Sequence, residues 1–203
     1  MITLYHAPQS RSSRMIWLLE EIGAPYTIRP VSIFRPLAGT GEPDPANPHP
    51  SKQVPAIDHD GVIVAESVAI ALYLAEAFPD ARLAPPVGDA KRGEYLTWMA
   101  WYAAALEPAM FAKFLGELDG SAMKQRMYGV VISRLEAALA KGPYMMGEDF
   151  TVVDLLIGSA IGWARQAFPE SALLDAYAER CKARPAALRA TKLDDAEGLQ
   201  KAA

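Results

Sequence analysis

The segment Pro8-Gln9-Ser10-Arg11-Ser12-Ser13-Arg14 gathers three hydroxyls and two guanidinium groups in seven residues. It falls between an apolar run and a helical pattern, where backbone N–H groups and the positive end of a helix dipole stabilise an anion. A thiolate would suit such a place. The serines also fit a structural part, because a hydroxyl just before a helix ordinarily caps it. Arg11 and Arg14 either raise the local positive potential or face solvent. Val54-Pro55 reads by default as an ordinary trans bond. Glu66-Ser67 reads as a helix start, with Ser67 capping and Glu66 favoured by the dipole. Thr151-Val152-Val153-Asp154 spells a capping box with Asp in place of Glu, a structural device. His6, His49 and His59 lack metal-ligand spacing and have no cysteine neighbours, so they read as surface or loop histidines and no metal is expected. The chain has no G-x-G-x-x-G, no G-x-x-x-x-G-K-[ST] and no G-x-S-x-G, which removes the recognisable dinucleotide, phosphate-loop and esterase chemistries.

These residues depend on the elements that hold them. Ile2 to His6 reads as a strand, and Met15, Leu18, Leu19 and Ile22 recur at helical spacing before Gly23. Tyr26 to Val31 gives a second strand. The stretch from Arg35 to Pro50 holds five prolines and two glycines and cannot sustain a long helix. Val54 to Ile57 and Val62 to Val64 follow as short strands around the turn Asp58-His59-Asp60-Gly61. A helix runs from Ser67 to about Phe78. The order β-α-β then β-β-α describes a small mixed sheet, thioredoxin-like in layout.

Pro79 to Gly88 reads as a linker, and beyond it the periodicity is helical only. Tyr95, Trp98, Met99, Tyr102 and Leu106 share a face of a helix that Pro108 should kink and that ends at Gly116 and Gly120. Further helices are expected over about 121–140, 151–167, 172–183 and 185–192. The fold class is therefore α/β plus all-α, with residues 1–80 as a thioredoxin-like N-terminal domain, 81–88 as linker and 89–203 as an all-helical C-terminal domain.

Composition narrows the remaining classes. The chain has 203 residues, is 51% hydrophobic and carries a net charge of −4, so it has no basic surplus for a phosphate backbone and nucleic acid is not an expected partner. One cysteine, Cys181, excludes an internal disulfide and a CxxC redox pair. The charge-free apolar stretch from Tyr95 to Leu106 is 12 residues long, short of the roughly 20 that span a bilayer, and no membrane association is expected. The first residues carry no secretory pattern, and the cytoplasm is the expected compartment.

Taken in order, the motifs Leu4 to Arg14, Gln53-Val54-Pro55-Ala56-Ile57, Glu66 to Leu74, Phe150 to Asp154 and Ala183-Arg184-Pro185-Ala186 resemble the glutathione S-transferase superfamily, in a bacterial type with a serine loop. The resemblance spans nearly the whole chain. It implies that the N-terminal domain binds glutathione as co-substrate, that the helical domain walls the electrophile, and that the site lies between them. It also implies a homodimer.

The resemblance places the thiolate-stabilising hydroxyl of serine-type members at Ser10, with Ser12 second and Tyr5, at the corner used by tyrosine-type members, third. It implies a cis Val54-Pro55 bond with Val54 main chain facing the cysteinyl part of glutathione. Ser67 would hold the γ-glutamyl carboxylate, and Glu66 would lie near its ammonium group. The glycyl carboxylate falls to Lys52, Gln53, His49 or Arg35, because Lys52 stands where the family usually has glycine. Trp98, Tyr102 and Trp163 are candidates for the wall around a hydrophobic electrophile, although aromatics at this spacing also make ordinary core. The implied activity is transfer of glutathione thiolate to an electrophilic carbon. A disulfide or peroxide reductase and a non-catalytic binding or regulatory protein are the alternatives, and the absence of a loop cysteine weighs against the reductase.

Overall fold

The computed structural model describes residues 1–194. Ile2 and Leu4 leave almost no surface exposed, and their strand β1 (Ile2–His6) lies inside a four-stranded sheet of order β2-β1-β3-β4. β2 (Tyr26–Pro30) pairs with β1 in parallel, reached through helix α1 (Ser13–Ile22), as a parallel crossover requires. β3 (Ala56–His59) runs antiparallel on the other side of β1, and β4 (Val62–Ala65) forms the far edge. The fold is thus a thioredoxin-like sheet with helices, followed by a mostly helical remainder.

Local chemistry explains the joints. α1 buries Met15, Ile16, Leu18 and Leu19 and stops at Gly23, whose φ of 72° sends its N–H back to the Leu19 carbonyl at 2.9 Å. The hairpin turn is tighter than the four residues expected. Asp58 and His59 belong to β3, because they pair with Thr3 and Ile2 of β1, so only Asp60 and Gly61 turn the chain. Both have positive φ, as a two-residue primed turn needs, and the Asp58 carboxylate accepts the Gly61 N–H at 2.7 Å. The strand expected from Val54 begins at Ala56, since Pro55 has no N–H for the ladder. Helix α2 (Ser67–Ala77) follows β4.

The contacts divide the chain into two compact units, Arg82–Arg184 and Met1–Ala81 with the segment beginning at Pro185. This grouping separates helix α8 (Pro185–Leu193) from the helices before it, whereas the sequence assigned residues 89–203 to one helical domain. The cause is packing. α8 lies on α1 through the small buried residues Ala186, Ala187 and Ala190. Its Arg189 guanidinium donates to the Glu20 carboxylate at 2.5 Å, and the same carboxylate accepts the Tyr26 hydroxyl at 2.8 Å.

The second unit contains α3 (Arg92–Trp101), α4 (Glu107–Phe114), α5 (Ala122–Leu139), α6 (Val152–Trp163) and α7 (Ala172–Lys182). The disturbance expected at Pro108 takes the form of a π-helical segment, Tyr102–Leu106, just before it. Pro108 cannot donate to the preceding turn and its ring crowds that turn's carbonyls, so the wider turn accommodates it. The capping box at Thr151 forms as the sequence indicates: the Asp154 carboxylate accepts the Thr151 N–H at 2.9 Å, and Thr151 Oγ1 accepts the Val153 N–H at 3.3 Å. Asp154 also accepts the Met145 N–H at 2.7 Å and the Tyr177 hydroxyl at 3.0 Å, which joins α6 to α7. Gly158 of α6 lies so close to α7 that a Cβ there would stand 2.8 Å from that of Cys181.

Candidate active site

β1 ends at His6, and the chain reaches α1 through a loop that turns at Gln9, a residue with φ of 53°. Arg35 fastens this loop from outside, donating to the Pro8 carbonyl at 2.7 Å and the Gln9 carbonyl at 3.4 Å. Inside it, Ser12 is fully buried at the N-cap position of α1, but its hydroxyl does not cap the helix. It turns back toward β1 instead. Ser12 Oγ accepts the Ala7 N–H at 3.2 Å and lies 2.8 Å from His6 Nδ1 and 2.8 Å from Ser10 Oγ. Ser10 is half-buried, and its Oγ also accepts the Ser12 N–H at 3.1 Å. Ser10 therefore presents a hydroxyl at the amino end of α1 whose position is set from two sides.

His6 is the main departure from expectation. It is neither a surface nor a loop residue, but the wholly buried last residue of β1. Its Nε2 faces Asp194 Oδ1, just beyond α8, at 3.4 Å, in ion-pair range but without hydrogen-bond alignment. The other Asp194 oxygen accepts the Gln9 N–H at 3.3 Å. Burial pushes the imidazole below its usual pKa, Asp194 opposes that shift, and Arg35 adds to it. His49 is buried as well, with Nδ1 accepting the Ser51 N–H at 3.1 Å, while His59 sits in β3 against Tyr73. Tyr5, the third hydroxyl named from sequence, is buried in an apolar cluster with Ala7, Val31, Ile33, Val54 and Ala56, beneath the Arg29 guanidinium.

The Val54-Pro55 bond is cis. Just before it, Asn47 is buried and organises the loop: its side-chain amide donates to the Gln53 carbonyl at 2.8 Å and accepts the His49 N–H at 3.0 Å. Lys52 turns its ammonium onto the Asn47 and Pro45 carbonyls at 2.7 and 3.2 Å. Glu66 holds φ at 71°, precedes α2 and leaves its carboxylate exposed, with His49 Nε2 at 3.9 Å. Ser67 opens α2, and its Oγ is buried with no partner among the described residues. A buried hydroxyl without a partner, beside first-turn N–H groups that no helical carbonyl can satisfy, is a ready receptor for a carboxylate.

Of the aromatic candidates, Trp98 and Tyr102 are packed inside the helical unit. Arg134 covers the Trp98 ring at 4.7 Å, and the Tyr102 hydroxyl donates to Glu107 at 2.9 Å. Trp163 is 47% exposed and stacks on Phe114 at 5.2 Å. A cavity of about 440 Å³ in the same unit, lined by Leu139, Pro143, Leu173, Tyr177 and Arg180 among others, includes none of the candidate residues. Among the described residues, no group of three or more His, Cys, Asp or Glu side chains is gathered as metal ligands would be.

Sequence reasoning missed His6, Asn47 and Asp194. A histidine closing a strand that carries the apolar Ile2, Leu4 and Tyr5 was the available signal for His6. Nothing local signals Asp194, which meets His6 only through the packing of α8.

Residues 1–76 match the family described as glutathione S-transferase, N-terminal domain. Glutathione S-transferase GstA of Escherichia coli O157:H7 is 27% identical over 165 residues, covering 79% of this chain and 81% of that protein. Glutathione S-transferase 3 of Schizosaccharomyces pombe is 27% identical over 173 residues, covering 76% and 70%. A sphingomonad glutathione S-transferase solved in complex with glutathione superimposes with a TM-score of 0.76 at 26% identity, over 95% of this chain and 98% of that one. Residues 1–76 thus carry the glutathione S-transferase N-terminal domain, and over most of its length the chain is similar to glutathione S-transferases.

Proposed function

We propose that this protein is a glutathione transferase that binds glutathione on the unit beginning at Met1, holds it as thiolate, and delivers the sulfur to an electrophilic carbon of an apolar small molecule. The observation that carries this reading is the half-buried Ser10 hydroxyl at the start of α1, held by the Ser12 hydroxyl and amide. Ser12 is enclosed by four polar neighbours and Tyr5 is buried in an apolar cluster, and this supports giving Ser10 the part of donor to the thiolate.

The energetics are within reach of such a donor. A free cysteinyl thiol of pKa about 8.5 is only about 3% ionised at pH 7. Lowering it by about two units takes about 2.7 kcal/mol. A hydrogen bond to a charged group contributes about 1.5–3 kcal/mol, and the helix terminus adds to it. The γ-glutamyl carboxylate would occupy the Ser67 hydroxyl and the first amides of α2, with Glu66 near the ammonium. Val54 main chain would meet the cysteinyl part as an added strand. Lys52, Gln53, His49 and Arg35 remain the candidates for the glycyl carboxylate, and Lys52 and Arg35 also brace loop carbonyls. Of the three aromatic candidates Trp98, Tyr102 and Trp163, only Trp163 has surface to offer an apolar substrate. The thiolate forms the new C–S bond as the leaving group departs with its electron pair or, in an addition, as charge moves onto the adjacent acceptor.

The test is an ultraviolet titration of glutathione thiolate against pH with and without the protein. Saturable binding with a lowered thiol pKa is expected, and binding with an unshifted pKa would overturn the reading. Ser10→Ala should raise the bound thiol pKa by about one to two units while leaving glutathione affinity nearly unchanged. We also propose a homodimer, as the resemblance implies, to be checked by light scattering on the eluting protein.

A further inference from the structure

The Ser10 hydroxyl ends a continuous row of polar contacts that runs into the interior. Ser10 Oγ lies 2.8 Å from Ser12 Oγ, Ser12 Oγ lies 2.8 Å from His6 Nδ1, and His6 Nε2 lies 3.4 Å from Asp194 Oδ1. The two atoms of the last pair are buried, and neither has a hydrogen-bond partner among the described residues. A buried carboxylate oxygen left facing a buried ring nitrogen is costly unless charge develops between them.

We propose that His6 takes the proton of bound glutathione's thiol through Ser12 and Ser10, and that Asp194 is the positioning residue that stabilises the resulting imidazolium. This inference rests on the transferase reading, because it needs a thiol at Ser10.

The proton count closes. Before ionisation His6 is neutral, with its hydrogen on Nε2 toward Asp194. Its Nδ1 accepts the Ser12 hydroxyl, Ser12 Oγ accepts the Ser10 hydroxyl and the Ala7 N–H, and Ser10 Oγ has a lone pair left for the thiol proton. That proton passes to Ser10 as the hydroxyl proton of Ser10 passes to Ser12 and that of Ser12 passes to Nδ1. The S–H bond breaks, an N–H bond forms on His6, and the electron pair stays on sulfur. Every hydrogen bond in the row has then reversed. Nδ1–H donates to Ser12, Ser12 donates to Ser10, and Ser10 donates to the thiolate. One row of hydroxyls thus serves first to accept the proton and then to stabilise the anion, which a lone serine cannot do at neutral pH.

The surroundings fit this use. Burial keeps the imidazole neutral before the thiol arrives. The charged groups bearing on it are Asp194 beyond α8, which favours the imidazolium, and Arg35 from the loop after β2, which opposes it. β2 sets the uncharged Pro30 opposite His6. Gln9, by donating to the second Asp194 oxygen, holds that carboxylate against the same loop that carries Ser10.

Nitrogen-15 NMR of the imidazoles tests this in the unmodified protein, which has three histidines. His49→Gln and His59→Gln identify the other two signals. At pH 7, saturating glutathione should convert the His6 ring from one protonated nitrogen to two. S-methylglutathione, which has no thiol proton to give, should leave it neutral. If thiolate absorbance appears while His6 stays neutral, the relay is wrong and the Ser10 reading stands. If glutathione does not bind or does not ionise, both readings fall. A second measurement uses Asp194→Asn, which keeps an acceptor for Gln9. The thiolate fraction of bound glutathione at pH 7 should drop about tenfold with glutathione affinity unchanged. An unchanged pH profile in that variant would overturn the part given to Asp194.

Discussion

Ser67 and Ser12 are both serines at the amino ends of helices, and neither acts as an ordinary cap. Ser67 holds a buried hydroxyl that nothing in the described protein satisfies. Its removal should therefore cost the folded chain little and the ligand much. Ser67→Ala is expected to weaken glutathione binding by about 1.5–3 kcal/mol in a calorimetric titration, with a thermal midpoint at or above that of the parent. Ser12 presents the opposite case. Ser12→Ala strands His6 Nδ1 and the Ala7 N–H in the interior, so a loss of about 1–3 kcal/mol of stability is expected by urea unfolding. The sequence drew attention to Ser10, Ser12 and Ser67 because helix amino ends are written in short local patterns. It could not separate their parts, because the partner that claims Ser12 is an imidazole across the loop, itself facing a carboxylate at the end of the described chain.

The helices show where local pattern suffices and where packing takes over. The Thr151 capping box was legible because all its partners lie within four residues, and the structure forms it. What lay beyond the pattern is that Asp154 also receives Met145 and Tyr177, contacts that depend on α7 and on the turn before α6. The π-helical segment before Pro108 was likewise hidden, since proline announces a disturbance but not its geometry. The approach of α6 to α7 allows a test. Alanine in place of Gly158 would gain up to about 1 kcal/mol of helix propensity. It would also drive a Cβ against that of Cys181, at 2.8 Å, which has no rotamer to withdraw into. Gly158→Ala should thus lower stability by about 1 kcal/mol or more, measured by urea unfolding, because overcrowding a packed interface outweighs propensity.

For the whole molecule, the ties between distant parts of the chain matter most. α8 returns to lie on α1, and the His6–Asp194 contact joins the first strand to the end of the described chain. Helical periodicity announced α8 but not its destination, because a short helix rich in alanine can pack wherever a close approach is offered. The buried imidazole makes this arrangement sensitive to acid. Its pKa in the folded protein lies below the unfolded value of about 6.5, so between the two the unfolded chain binds more protons. The contribution of His6 to stability is full above about pH 6.5 and is lost as the pH falls through the folded value. Urea midpoints measured from about pH 8 to about pH 5 should fall more steeply for the parent than for His6→Asn, which has nothing to titrate there. Cys181, already met as the neighbour of Gly158, has a consequence for laboratory practice. It is the chain's one sulfhydryl, and burial, with the nearby Asp154 adding to it, pushes its pKa up to about 12. A thiol-reactive dye added to the native protein with glutathione should therefore be consumed by the tripeptide alone, and any gain in labelling rate over glutathione without protein reads the proposed activation of its sulfur.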